Sequence, residues 1–217
     1  MPLPDPRHAP ADGPLAIGGT LSKKRLLEAY RAGIFPWYEE GLPVLWWSPD
    51  PRFLLDPASL VVRRSVAQRI RSGVFEVRYD TAFERVMRGC AETPRKHEAG
   101  TWITPDMIEA YCGLFDAGTA HSVECWKDDE LVGGLYGVSL GAAFFGESMF
   151  TRTTDASKVA FVHLAERAKG WGFHFVDCQM RTEHLATFGA VDVPREEFLE
   201  RLAVAVGQPT REGSWAE

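Results

Sequence analysis

The sequence predicts an α+β fold. Alternating strand-like and helix-like segments begin near residue 52, residues 121–139 read as a hairpin turning at Lys127-Asp128-Asp129-Glu130, and two further apolar strands each carry an acid. The 217 residues are 45% hydrophobic with 20 Gly and 14 Pro, which suits one globular domain, or one plus a small appendage.

Taken in order, the first dozen residues are Pro-rich and read as disordered. Ser22 can cap a helix whose apolar positions Leu26, Leu27 and Tyr30 recur at helical spacing, with Gly33 as its stop. From Ile34 to Arg52 prolines and tryptophans crowd together, so this stretch reads as a rigid aromatic loop and not a regular element. Trp46 and Trp47 suit a small core there. A helix around Ser65–Ser72, a strand Val74–Tyr79 and a helix capped near Asp80 follow, then a polar loop from Glu92 to Gly100. Thr104 caps the next helix, with Pro105 in its favoured first position and Gly118 as its stop. After the hairpin come strand Ala142–Phe150, a long helix from Asp155, a strand containing Asp177, a short helix ending at Gly189 and a final helix opened by Pro194. The tail from Gln208 reads as disordered. A meander, a helix, a further strand and a helix form the order of GNAT-like acyltransferase folds.

Several function classes drop out on composition. No run of about 18 apolar residues exists to span a membrane, and the N-terminus lacks a signal-peptide core. Cys90, Cys112, Cys125 and Cys178 form no CxxC pair and read as free thiols, so the expected location is cytoplasmic. The histidines show no ligand spacing, so no metal is expected. A net charge of −6 argues against indiscriminate nucleic-acid binding, DNA included. Residues 63–98 nonetheless hold nine basic residues against five acids, which suits either a polyanion grip or solvated helix faces.

The chemistry concentrates in two apolar segments, Phe145-Gly146-Glu147-Ser148-Met149-Phe150 and Phe173 to Gln179. A buried carboxylate is costly unless paired or hydrogen-bonded, so Glu147, Asp177 and Gln179 on such strands point to a polar site with apolar walls. Period-two alternation puts Asp177 with Gln179 on one face, and Phe145, Glu147 and Met149 on another; Cys178 faces away.

Six segments in one order carry a resemblance: Gly33-Ile34-Phe35-Pro36-Trp37-Tyr38, Leu45 to Arg52, Gly100-Thr101-Trp102-Ile103, Gly133-Gly134-Leu135-Tyr136-Gly137, Gly146 to Phe150, and Asp177-Cys178-Gln179. Together they resemble the bacterial leucyl/phenylalanyl-tRNA–protein transferases, from about Gly13 to about Leu202. The resemblance implies a small N-terminal domain (1–51) joined to a GNAT-like catalytic domain (52–217). It implies transfer of Leu or Phe from aminoacyl-tRNA to the N-terminal amine of proteins beginning with Arg or Lys, marking them for N-degron proteolysis; apolar walls discriminate a methylene by only about 10–200-fold, so some leakage to Met is expected. No cofactor beyond the aminoacyl-tRNA co-substrate is implied. Carried onto this chain, Trp37 and Trp102 stack on the tRNA 3′-adenosine, and Leu135, Phe144, Met149 and Val176 form the donor side-chain pocket. Alternation leaves Phe144 or Phe145 as that wall, since a bulge at Gly146 would present either. Gln179 would contact the reacting groups, Asp177 orient that network or take a proton late, and Glu147 hold the donor's α-ammonium or shape the same network. Arg63, Arg64, Arg69 and Arg71 are candidates for the tRNA backbone. Rival readings lack support: no acyl-CoA pyrophosphate loop starts a helix, a pure binding module would not need Asp177 and Gln179, and leucyl transfer onto acidic N-termini would want a basic acceptor site.

Overall fold

The computed structural model of the protein describes residues 2–10, 13–93 and 101–216. The polar stretch 94–100, with Arg95 and Lys96 of the basic run, lies outside them.

The elements in chain order are β1 (Ala16–Ile17), α1 (Lys23–Arg31), β2 (Phe35–Pro36), β3 (Leu45–Trp47), β4 (Arg52–Leu55), α2 (Arg64–Arg71), β5 (Glu76–Tyr79), α3 (Phe83–Glu92), α4 (Pro105–Asp116), β6 (Ala120–Lys127), β7 (Glu130–Leu140), β8 (Ala143–Thr151), α5 (Ala156–Gly170), β9 (Phe175–Asp177), α6 (Glu183–Ala186), β10 (Val191–Val193) and α7 (Arg195–Val206). The fold is α+β. A small antiparallel sheet, β1-β3-β2, precedes a seven-stranded mixed sheet ordered β10-β4-β9-β8-β7-β6-β5. Among the described residues, β8 and β9 are the parallel pair of the large sheet, joined through α5. Helices cover the sheet on both sides, giving two apolar clusters. One gathers α1, α3, α4 and α7 with the small sheet; the other gathers α2 and α5 with the C-terminal segment.

Local signals account for much of this. Ser22 Oγ accepts the Arg25 amide at 3.3 Å and starts α1, and Thr104 Oγ1 accepts that of Met107 at 3.3 Å ahead of Pro105. The expected meander, helix, strand and helix are present in that order.

Elsewhere the structure differs from the sequence reading. The aromatic stretch contains β2 and β3, which are too short for a period-two signal; Trp46 is buried in the core and Trp47 Nε1 donates to the Trp37 carbonyl at 2.7 Å. Asp80 does not cap α3. Its carboxylate accepts from the Ser122 and Trp215 amides and pairs with His121, while the buried Glu124 carboxylate accepts the Thr81 and Ala82 amides at the helix start. Residues 6–8 form a 3-10 turn held to α7 by Arg7–Glu196 at 3.0 Å. The tail is ordered as well: Trp215 is 3% exposed and stacks on His121 with ring centres 3.8 Å apart. A single late tryptophan supplies that anchor, and composition averaged over the tail hides it.

At Gly137 the sheet has no room for a side chain, because a Cβ there would lie 2.2 Å from the Phe145 carbonyl oxygen and 2.6 Å from the Phe144 ring. Gly137→Ala is expected to destabilise the protein by at least about 1–3 kcal/mol, read as a lower urea midpoint at unchanged slope.

Candidate active site

A cavity of about 360 Å³ opens where β7, β8 and the end of β9 meet the segment leading into α6. Leu135, Met149, Phe161, Leu164, Val176 and Leu185 supply apolar walls, and Glu147, Gln179 and Cys178 add polar groups. Trp37 and Trp102 line the same cavity, from the loops after β2 and before α4. An apolar chamber with a few convergent polar groups is the usual form of a small-ligand site.

Glu147 owes its position to a bulge. The β7–β8 register pairs Gly137 with Gly146 and Tyr136 with Ser148, leaving Glu147 without a partner. The extra residue resets the alternation. Phe145 and Glu147 face the cluster around Tyr30, whereas Met149 faces the opposite cluster with Phe144 and Leu135. The period-two grouping of Met149 with Glu147 therefore fails at this point. Neither Phe144 nor Phe145 lines the cavity; both are fully buried behind its wall.

Glu147 Oε1 accepts from Tyr30 Oη at 2.7 Å and from Gln179 Nε2 at 2.8 Å, and Oε2 accepts from Tyr111 Oη at 3.1 Å. The two tyrosine hydroxyls also touch each other. Tyr30 Oη, Tyr111 Oη and the two Glu147 oxygens thus form a closed ring of polar contacts. Burial pushes the Glu147 carboxyl up to about 7, with the tyrosine hydrogen bonds opposing. Burial and the adjacent Glu147 raise both tyrosines well above their usual value.

Asp177 stands behind this site, not on its wall. It is fully buried and paired with Arg52: Nη2 donates to Oδ2 at 2.6 Å and Nε to Oδ1 at 2.9 Å. Oδ1 also accepts the Gln179 amide at 2.8 Å. β9 ends at Asp177, and Gln179 has a φ of 62°, so alternation does not continue to it. Gln179 and Cys178 consequently both line the cavity, while Asp177 holds the turn that presents them. Burial pushes the Cys178 thiol far up, which makes it a poor nucleophile.

Arg63, Arg64 and Arg71 are exposed, Arg69 lies 3.9 Å from Asp155, and none of the four lines the cavity. Tyr30, Tyr111 and Arg52 were not singled out by sequence as site residues. A phenol at a helix's core positions was the available signal, since its hydroxyl needs a buried partner. Nothing local marks Arg52.

Residues 54–203 match the family model described as leucyl/phenylalanyl-tRNA protein transferase, and residues 19–50 match that of its N-terminal domain. The leucyl/phenylalanyl-tRNA–protein transferase of Myxococcus xanthus is 59% identical over 215 residues, covering 99% of this chain and 92% of the relative. The chain belongs to this family. The transferase of Nitrosospira multiformis is 55% identical over 204 residues, covering 94% of this chain and 88% of the relative. Among solved structures, a GCN5-related N-acetyltransferase from Kribbella flavida aligns over 76% of this chain and 59% of its own, with TM-score 0.41 and 10% identity. The transferase, an enzyme by family, has no helix among the described residues long and apolar enough to cross a membrane.

Two outcomes are expected from this geometry. Arg52→Met strands a buried carboxylate and should cost about 3–5 kcal/mol, while Arg52→Met with Asp177→Leu should recover most of it, both read by urea unfolding. Glu147 is raised to about 7 in the folded state from about 4.3 unfolded, so the native state binds more protons between those values. Its stabilising contribution is present in full below about 4.3 and is lost as pH rises through 7. Wild type should therefore lose on the order of 2–3 kcal/mol between pH 5 and pH 8 relative to Glu147→Gln in parallel urea titrations.

Proposed function

We propose that the cavity holds the 3′ end of a leucyl- or phenylalanyl-tRNA and presents its ester to the N-terminal amine of a protein beginning with Arg or Lys. The observation that carries this reading is the convergence of an apolar chamber, the Glu147–Gln179 pair and two tryptophans on one cavity. The donor's Leu, Phe or Met side chain occupies the space between Leu135, Met149, Val176, Phe161 and Leu164. Trp37 and Trp102 stack on the terminal adenosine, which contributes about 1–3 kcal/mol per base without sequence readout. The exposed Arg63, Arg64 and Arg71, with Arg69, are the proposed contacts for the tRNA backbone.

The donor is already an activated ester, and an α-amine with a pKa near 7.7–8.0 is partly neutral at pH 7, so no strong base is needed. Orientation supplies most of the acceleration, up to about 7–11 kcal/mol. The acceptor nitrogen attacks the ester carbonyl, the carbonyl–ribose oxygen bond breaks, and the amine proton passes to the leaving ribose oxygen. Gln179 Nε2 is engaged by Glu147, which leaves its carbonyl oxygen to orient the attacking amine. Glu147 shares its proton with the donor's α-amine. Asp177, with Arg52, fixes the turn that carries Gln179. No cofactor enters these steps. The product carries a destabilising N-terminal residue for N-degron proteolysis, and the reaction runs in the cytoplasm, where charged tRNA is available.

Transfer of radiolabelled Leu and Phe from charged tRNA to peptides beginning with Arg, Lys, Asp or Glu tests this reading. Label should enter the Arg and Lys peptides, and Trp37→Ala or Trp102→Ala should raise KM for aminoacyl-tRNA by roughly 5–150-fold with the peptide KM unmoved. Equal labelling of acidic and basic peptides would remove the acceptor assignment. An unchanged tRNA KM would remove the stacking assignment.

A further inference from the structure

Phe144 is fully buried and belongs to the same apolar cluster as Leu135 and Val176, and it pairs directly with Val176 across the parallel β8–β9 ladder. Its ring occupies a slot that exists because Gly137 has no Cβ; one added there would lie 2.6 Å from two Phe144 ring atoms. The C-terminal segment also reaches this ring. The Trp215 indole lies 5.7 Å from it, centre to centre, inclined by 41°.

Trp215 is itself held from several directions. Its amide donates to Asp80 Oδ2 at 2.6 Å, its carbonyl accepts from Arg167 Nη1 at 2.7 Å, and its ring stacks on His121 at 3.8 Å and 7°. His121 Nδ1 lies 2.8 Å from the same Asp80 oxygen, so one carboxylate fixes both members of the stack. Gly141 donates its amide to Thr210 Oγ1 at 2.9 Å, and Gly118 and Gly213 press backbone to backbone, which sets the path of the tail. The segment lies beyond residue 203, where the family match ends.

We propose that Trp215 is a positioning residue for the donor side-chain pocket, acting through Phe144 on the wall formed by Val176 and Leu135. Dense interiors transmit a change of volume to their neighbours, so removing the indole lets Phe144 withdraw and the wall recede. This inference rests on the donor-pocket reading above. A receding wall changes the fit of Leu and Phe unequally, because pocket discrimination between side chains depends on contacts at the scale of a methylene.

Steady-state transfer of Leu and Phe to an Arg-peptide tests it in wild type, Trp215→Ala, Trp215→Phe, Phe144→Leu and the Trp215→Ala/Phe144→Leu double variant, with Leu135→Ala as a direct probe of the pocket wall. Trp215→Ala is expected to raise KM for the aminoacyl-tRNA donor by about tenfold and to shift the Leu-to-Phe ratio of kcat/KM, with the peptide KM unchanged. Trp215→Phe should restore most of the donor KM, and the double variant should be no worse than the worse single variant. If Trp215→Ala does not fold, Trp215→Leu carries the same readouts. A loss confined to kcat, with donor KM and the Leu-to-Phe ratio as in wild type, would mean only a smaller folded fraction and would overturn the inference. Should Leu135→Ala move that ratio while the Trp215 variants do not, the inference falls and the pocket stands. A ratio unmoved by both brings down the pocket reading too.

Discussion

The Arg52–Asp177 pair is the constraint on which the site depends. A buried ion pair is weak evidence of net stability, because desolvation offsets much of the attraction. Its value here is geometric. Arg52 begins β4 and Asp177 ends β9, so the pair fixes two neighbouring strands at the end where the cavity opens. The guanidinium also donates to the Gly33 carbonyl at 3.2 Å and lies over the rings of Phe35 and Phe198, which ties in the end of α1, the small sheet and α7. Asp177 then spends a further lone pair on the Gln179 amide, holding the left-handed turn that puts the amide side chain in the cavity.

The second device is the bulge at Glu147. A regular strand would carry its side-chain pattern through unchanged, and one face would then have to serve both the apolar pocket and the polar network. One extra residue lets β8 supply Glu147 to the tyrosines on one side and Met149 to the chamber on the other. Tyr30 and Tyr111 come from α1 and α4, which pack together in the first apolar cluster. The hydrogen-bonded ring they form with Glu147 accommodates a carboxyl in a dry site by giving both of its oxygens donors. Asp177 and Glu147 thus represent two ways of burying an acid: one by pairing with a guanidinium, the other by holding a proton near neutral pH.

Apolar walls come from both clusters. Val176, Leu135 and Met149 face the α5 side, while Trp37 and Trp102 belong to the side of the small sheet and α4. The cavity therefore sits where the two halves of the core meet around the sheet's end, and residues far apart in the chain must settle together before it takes shape. The seven-residue segment from Gln179 to Leu185 closes it from outside, with Met180 41% exposed at the rim.

Much of the fold was legible in sequence. Ser22, Thr104 and Pro105 mark helix starts, Gly33 and Gly118 mark stops, and the hairpin turn at Asp128-Asp129 follows from residue types whose effects act within a few neighbours. Apolar strands carrying Glu147, Asp177 and Gln179 also identified the site region, because an unpaired buried acid is costly wherever it falls. The sequence alone therefore determined the α+β class, the order of the longer helices and of the β6–β9 strands, and the segments that hold the chemistry. Tertiary structure decided which face each group takes and which partner it meets. The bulge at Glu147 arises from register between two strands, the turn at Gln179 depends on a carboxylate anchored by Arg52 125 residues away, and Trp215 is seated against His121 of β6. Such contacts are set by long-range packing, and no local pattern of residue types encodes them.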